Sequence, residues 1–234
     1  MINQETVAMN DHQSPFITIT GNIGCGKSTL LTRLKENFPI VVVPEPIEDW
    51  GDWLRMFYLN PDKSALGLQV KILTSFKEIL DKHKDEGIPV IVERSPIEGI
   101  EVFAKTLLDS NVLSGMDIDL LHELLKYCGW APRAYIYLQT TPSKCMERIH
   151  SRNRGVESNI SEDYVAKLHE KYEDLFIGES LFRSDHVFII DADDTQETVY
   201  HKVAAMLVEN NWFEPSSGNR PVTPVLQVQN NGFH

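Results

Sequence analysis

The sequence predicts a three-layer α/β domain, a five-stranded parallel sheet covered by helices on both faces. Short apolar, β-branched runs alternate along the 234 residues with segments of helical spacing. Strands read this way when crossover helices bury both of their faces. The first run, Phe16 to Thr20, leads directly into a glycine-rich loop and a helix. The length suits one core better than two, and no internal repeat divides it.

The loop after the first strand is Gly21, Asn22, Ile23, Gly24, Cys25, Gly26, Lys27 and Ser28, followed by Thr29. It fits the phosphate-binding pattern G-x-x-x-x-G-K-[ST] at every fixed position, which makes the predicted fold P-loop NTPase-like. Gly21 and Gly26 permit backbone angles at which successive N–H groups turn toward phosphate oxygens. The helix from Ser28 to Leu34 adds the positive end of its dipole. Lys27 is expected to reach the β- and γ-phosphates of ATP, and the Ser28 hydroxyl to ligate Mg²⁺.

Ile40 to Val43 is the second strand, and it ends in Pro44, Glu45 and Pro46, which forbid helix and hold Glu45 extended. Trp50 to Phe57 forms a short helix that stops near Asn60 and Pro61. From Asp62 to Lys84, Ala65, Leu68, Ile72, Leu73, Phe76, Ile79 and Leu80 fall at helical spacing. Gly87 and Pro89 break that helix before a third strand, Val90 to Val92. Helices are expected from Pro96 to Asp109 and from Met116 to Tyr127, then a fourth strand from Ala134 to Leu138. Pro142 opens the next helix, which runs through Arg148 and ends near Gly155. Ser161 caps a further helix. Val187 to Ile190 is the fifth strand and Gln196 to Glu209 the last helix. The domain therefore occupies residues 15–212, between a flexible N-terminus of residues 1–14 and a disordered tail of residues 213–234 rich in Pro, Asn, Gly, Ser and Gln.

Composition narrows the partners. A net charge of −12 argues against nucleic acid, whose phosphates attract basic surfaces. Cys25, Cys128 and Cys145 are odd in number and far apart, which reads as free thiols in a reducing compartment. No apolar run approaches a membrane span. The N-terminus, with Glu5 and Asp11 and no arginine, has neither leader pattern, so a soluble cytoplasmic protein is expected.

Ligands of a parallel α/β sheet sit beyond the carboxyl ends of its strands. Those ends carry the phosphate loop, then Glu45, then Glu93, Arg94 and Ser95, and finally Asp191 and Asp193. Two carboxylates and an arginine therefore converge on the γ-phosphate from separate parts of the chain. A second concentration is Arg148, Arg152 and Arg154; the first two share a helical face, and guanidinium groups match phosphate oxygens. Polar strand ends and solvated basic faces are ordinary features of α/β proteins, and only their company with the phosphate loop favours the functional reading.

The loop from Gly21 to Thr29, Glu45 with Pro46 and Trp50, Tyr58 with Pro61 and Gln69, the triplet Glu93, Arg94 and Ser95, and the segment from Glu147 to Glu157 occur together and in order. In this combination the chain resembles the deoxyribonucleoside kinases of the insect multisubstrate, mitochondrial thymidine and deoxycytidine/deoxyguanosine kinase type, over about residues 16–194. The resemblance implies an ATP-dependent kinase acting on a deoxynucleoside 5′-hydroxyl. Glu45 becomes the general base, Arg94 the residue that holds Glu45 and the 5′-oxygen, and Glu93 a partner of Ser28 around Mg²⁺. Arg148, Arg152 and Arg154 become a lid over the phosphates, within residues 148–157. Tyr58 and Glu157 are implied at the sugar 3′-hydroxyl, Gln69 at the base edge, and Trp50 and Phe103 packed against the base. The stretch Asp191 to Asp194 is implied near adenine. Family members are commonly homodimers built through the helices after strands two and three.

Members that favour purines or cytosine tend to carry an arginine and an aspartate facing the base, where this chain has Phe76 and Gly99. With Ile72 these suggest an apolar wall with room for a 5-methyl group, hence a leaning to thymidine and other pyrimidines. Two other functions fit a phosphate loop. A thymidylate-type monophosphate kinase would need basic residues for a phosphorylated acceptor and no base at Glu45. A regulatory switch would need mobile switch loops, and the guanine-reading Asn-Lys-x-Asp does not occur.

Overall fold

Five strands form one parallel sheet in the order β2-β3-β1-β4-β5. They are β1 (Phe16–Thr20), β2 (Val41–Val43), β3 (Val90–Glu93), β4 (Ala134–Gln139) and β5 (Val187–Asp191). The computed structural model describes residues 14–152, 160–178 and 187–212. Arg154, Glu157, residues 1–13 and the tail 213–234 lie outside the described residues.

The central strand β1 pairs with β3 on one side and β4 on the other, and its five residues are all buried. Side-chain alternation divides them between two cores. Ile17, Ile19, Ile91, Ala134, Ile136 and Leu138 face one hydrophobic layer with α1 (Lys27–Asn37) and α9 (Gln196–Glu209). Tyr135 and Tyr137 face the opposite layer, which also contains residues of α3 (Pro61–His83), α6 (Gly115–Cys128) and α8 (Glu162–Phe176). Phe16, Val90 and Val92 pack beside that layer with Phe76 and Trp130. The edge strands β2 and β5 are only partly buried, whereas the sequence reading took β2 as a buried strand.

Helix boundaries follow local chemistry. Pro61 begins α3 at a position where the missing N–H costs nothing. Ser114 and Asp117 close a reciprocal capping box on α6, and the Ser161 hydroxyl accepts from Tyr164 N at the start of α8. The short helix α2 (Gly51–Leu59) starts after Trp50, and α7 (Pro142–Arg152) starts at its proline. One expectation needs amendment. Residues 96–109 are not one regular helix: α4 (Pro96–Glu98) passes into a π-helical segment, Gly99–Ala104, and then α5 (Lys105–Asp109). The wide turn follows Glu98 and contains Phe103, both of which contact the site.

Candidate active site

The site is built at the carboxyl ends of β1, β2 and β3. Gly21, Gly24 and Gly26 all have positive φ, the region in which a Cβ is strained. At Gly24 space also forbids one: an added Cβ would lie 2.6 Å from the Cys145 carbonyl oxygen. The loop thus packs directly on α7, so its curvature is fixed before any ligand arrives. The Asn22 side chain works toward the same end, donating to Val165 O on α8 at 2.9 Å and accepting from Ile23 N at 2.8 Å. Lys27 is buried at the head of α1, and its ammonium donates to the carbonyls of Gly21 and Asn22, both at 2.9 Å. Ser28 and Thr29 stay exposed on the first turn.

Glu45, Glu93 and Arg94 come together from different strands, as the sequence reading required. Arg94 follows β3, its N–H bonded to Ile19 O at 3.0 Å, with φ at 62°. A non-glycine residue in this conformation is held there at a cost, and such strain concentrates at functional positions. Its Nη1 donates to Glu45 Oε2 and its Nε to the Tyr172 hydroxyl at 3.1 Å. The Phe103 ring lies 4.8 Å below the guanidinium. Both members of the Arg94–Glu45 pair are nearly enclosed, so the pair is far better defined than a surface ion pair. Glu93 Oε1 accepts from Ser28 Oγ at 3.4 Å. Burial, and then the neighbouring Glu45 carboxylate, push the Glu93 carboxyl above its ordinary range, against the pull of Lys27 and Arg94.

The acceptor-side residues divide. Gln69 is buried on α3, and its carboxamide has no hydrogen-bond partner among the described residues. A buried amide left open fits a group that reads a ligand. Gly99 and Ile72 are neighbours: a Cβ on Gly99 would meet Ile72 Cγ2 at 3.9 Å, an ordinary contact with room beyond. Tyr58 is exposed at the end of α2, edge-on to Phe57. Trp50 is buried, its indole N–H donating to Ser75 at 3.2 Å. Phe76 is also buried, edge-on to Trp130, in the core cluster against which Ile72 packs.

A pocket of about 120 Å³ opens beside the loop, lined by Gly24, Thr29, Arg33, Arg148, Arg152 and Gln196 among others. Arg148 spans it, donating to the Cys25, Ala192 and Asp194 carbonyls at 3.0, 2.9 and 3.2 Å. Asp191 and Asp193 shape the adjoining loop: Asp191 accepts from Asp193 N, and Asp193 accepts from Thr141 N. Sequence reasoning missed Arg33, Gln196, Tyr172 and Glu98, none of which belongs to a recognisable local pattern for ligand binding.

Relatives and solved structures place this geometry. The chain is 33% identical over 156 residues to a putative deoxynucleoside kinase of Frog virus 3 (isolate Goorha), covering 67% of this chain and 80% of that protein. It is 31% identical to deoxycytidine kinase 2 of Gallus gallus, over 67% and 72% of the two chains. It is 28% identical to the thymidine kinase of Ictalurid herpesvirus 1 (strain Auburn), over 81% and 84%. A structure of deoxyadenosine kinase from M. mycoides, with products dCMP and dCDP bound, shares the fold with a TM-score of 0.74 at 23% identity, covering 83% of this chain and 99% of its own. Residues 17–211 match the family model for deoxynucleoside kinases, and with a phosphate loop, an ion-paired glutamate and a strained arginine at one sheet edge the chain belongs to the deoxynucleoside kinase family of phosphotransferases.

Proposed function

We propose that this kinase transfers the γ-phosphoryl group of ATP to the 5′-hydroxyl of a deoxynucleoside, with Glu45 as general base. The observation that carries the proposal is the buried Arg94–Glu45 pair beside the phosphate loop. A nucleoside hydroxyl must lose its proton as its oxygen attacks phosphorus. Arg94 engages Glu45 through Oε2, while Oε1 has no hydrogen-bond partner among the described residues and is available to that hydroxyl. A monophosphate kinase has no need of such a base, and a regulatory switch has no need of the open Gln69 carboxamide.

Lys27, Arg148 and Arg152, with Arg154 beyond the described residues, supply positive charge for the transferring phosphoryl group. A closed lid would exclude water from it. Ser28 and Glu93 bring a hydroxyl and a carboxylate within one cation's reach, which fits Mg²⁺ because that ion takes few protein ligands and completes its shell with phosphates and water. When bound, the ion would neutralise charge on the phosphates. Asp191 and Asp193 stand by the donor pocket, where they shape the loop that would hold adenine. Glu157 and Tyr58 would hold the sugar.

The names of the relatives span several bases, so base preference rests on the pocket. Ile72, Gly99 and the core-backed Phe76 form a wall without charge, and Gly99 leaves space suited to a 5-methyl group. These features favour thymidine and other pyrimidine deoxynucleosides. A homodimer fits α6, which packs on α3 and exposes Met116, Leu120 and Tyr127 along one stripe. The decisive experiment measures ATP turnover with each natural deoxynucleoside, wild type beside Glu45→Gln. Pyrimidine-stimulated turnover that drops about 10²–10⁴-fold in the variant is the expected result. Turnover with thymidine monophosphate alone, or with no acceptor, would sink the proposal, and a preference for deoxyguanosine would sink the base assignment.

A further inference from the structure

Behind Arg94 lies a carboxyl group that the transfer itself does not touch. Glu98 is completely buried. Its Oε1 accepts from Ser95 Oγ at 2.9 Å, and its Oε2 accepts from Thr20 Oγ1 and from the Tyr172 hydroxyl at 3.3 Å. All three partners are hydroxyls, and among the described residues no cation pairs with it directly. Tyr172, itself fully buried, accepts from Arg94 Nε at 3.1 Å through the same oxygen that donates to Glu98.

The result is a one-way chain of donors, from Arg94 Nε–H to the Tyr172 oxygen and from the Tyr172 O–H to Glu98. The phenol oxygen can accept a hydrogen bond from the guanidinium only if its own O–H points elsewhere, and the Glu98 carboxyl is the acceptor that orients it. The same carboxylate bonds Thr20, the last residue of β1 before the phosphate loop, and Ser95, the residue after Arg94. It therefore ties together the strand end that carries the loop, the turn that carries Arg94, and α8.

A purely local role does not account for it. Ser95, Pro96, Ile97 and Glu98 have the S-x-x-E spacing of a capping box, yet the Ser95 side chain makes no capping bond to α4. A buried carboxyl without a cation is also a costly way to fill space that an apolar side chain would fill more cheaply.

We infer that Glu98 is a positioning residue, which acts through Tyr172 to hold the Arg94 guanidinium, and so Glu45, in the geometry that phosphoryl transfer uses. This inference rests on the kinase mechanism proposed above. The charged and titratable groups bearing on Glu98 are Arg94 and Lys27, which favour its charged form, and Tyr172, while Glu45 and Glu93 bear on Arg94. Burial, the strongest influence on it, raises its pKa to about 7, so the charged form, the stronger acceptor for the Tyr172 hydroxyl, predominates only above neutrality.

The test compares wild type, Glu98→Gln and Tyr172→Phe. In wild type kcat rises with pH through about 7. In Glu98→Gln that limb is missing and kcat stays about tenfold or more below the wild-type plateau, while KM for ATP changes less than about twofold. Tyr172→Phe, which keeps the ring and the carboxyl, reproduces the loss, and the double variant is no worse than the poorer single one. Normal kcat and an unaltered pH profile in folded Glu98→Gln, or in Tyr172→Phe if the former does not fold, overturns the inference. A readout free of catalysis separates this from an error in the kinase mechanism. The Arg94 Nε–H resonance, identified by its absence in Arg94→Lys, shifts with pH near neutrality in wild type and not in Glu98→Gln, with no substrate present. A resonance indifferent to Glu98 overturns the inference even if nucleoside phosphorylation is confirmed, whereas a responsive one beside inert nucleosides condemns only the mechanism.

Discussion

Replacing Glu98 by glutamine should change how the stability of the fold depends on pH, and the size of the change can be worked out. The carboxyl is wholly enclosed, and its pKa stands at about 7 against an ordinary value of 4.5. Between those two values the folded chain holds a proton that the unfolded chain has released. Stability then falls as pH rises, because the folded state binds more protons. The fall begins above the unfolded value, continues through about 7, and is complete near pH 8. At about 1.4 kcal/mol for each pKa unit, the loss amounts to about 3 kcal/mol. Glutamine does not titrate, so the variant escapes this loss. Its hydrogen bonds to Thr20, Ser95 and Tyr172 must rearrange, but that offset is the same at every pH. Urea denaturation of both proteins at pH 5 and pH 8 isolates the effect, since all other carboxylates are common to the two. The variant should gain about 2–3 kcal/mol relative to wild type between these conditions, or roughly 5–10 °C in Tm. Parallel stability profiles would refute the reasoning. They would mean that three hydroxyls and two nearby cations solvate the carboxylate as well as water does.

Gly24→Ala should destabilise the chain by at least about 2 kcal/mol, because the new methyl must both occupy a left-handed backbone and displace the Cys145 carbonyl; a Tm within a degree of wild type and intact ATP binding would contradict the account of the loop. Gly99→Ala adds a methyl group that fits against Ile72 at 3.9 Å, so Tm should hold while thymidine loses about tenfold in kcat/KM relative to deoxycytidine. An unchanged ratio would place the 5-methyl group elsewhere. Leu120→Glu puts a charge on the exposed stripe of α6 and should convert a dimer into a monomer of 26.7 kDa by sedimentation, whereas an unaltered dimer would locate the interface on another surface.

What could be read from the sequence was whatever is local. The phosphate loop is contiguous, and each strand announces itself by a short β-branched run. Glu45 and Arg94 were legible because a strand end is a place as well as a sequence position. Glu98 was not, since Ser95-x-x-Glu98 has the appearance of a helix cap and its real partners, Thr20 and Tyr172, lie 78 and 74 residues away. The π-helical turn also escaped notice. Ile97, Ile100 and Ala104 satisfy an ordinary helical period, and a single wide turn changes spacing by less than the pattern resolves. The resemblance implies Phe103 at the base, and its ring also lies under Arg94, a contact made across the wide turn that helical periodicity does not encode. Asp191 and Asp193 were legible for the same reason as Glu45, while the backbone bonds that one oxygen of each accepts, from Asp193 N and Thr141 N, have no local sequence signal.

Three separate costs gather at one residue and its neighbours. Arg94 has a left-handed backbone, which for a non-glycine residue costs about 1–3 kcal/mol. Its guanidinium is buried and shared between Glu45 and Tyr172, and the carboxyl behind Tyr172 has no cation of its own. None of these is needed to hold β3 in the sheet, since Arg94 N already bonds to Ile19 O and Val90, Val92 and Ile91 are fully buried. Selection for stability alone would remove them, because stabilising substitutions are readily found wherever function does not forbid them. What the costs obtain is a guanidinium held before substrate binds by Tyr172 at Nε, by Glu45 at Nη1, by the Gly21 carbonyl at Nη2 and by the Phe103 face beneath. A reaction with little covalent work for the protein depends mainly on such placement. If the proposed mechanism holds, relaxing this arrangement should raise stability at the expense of turnover.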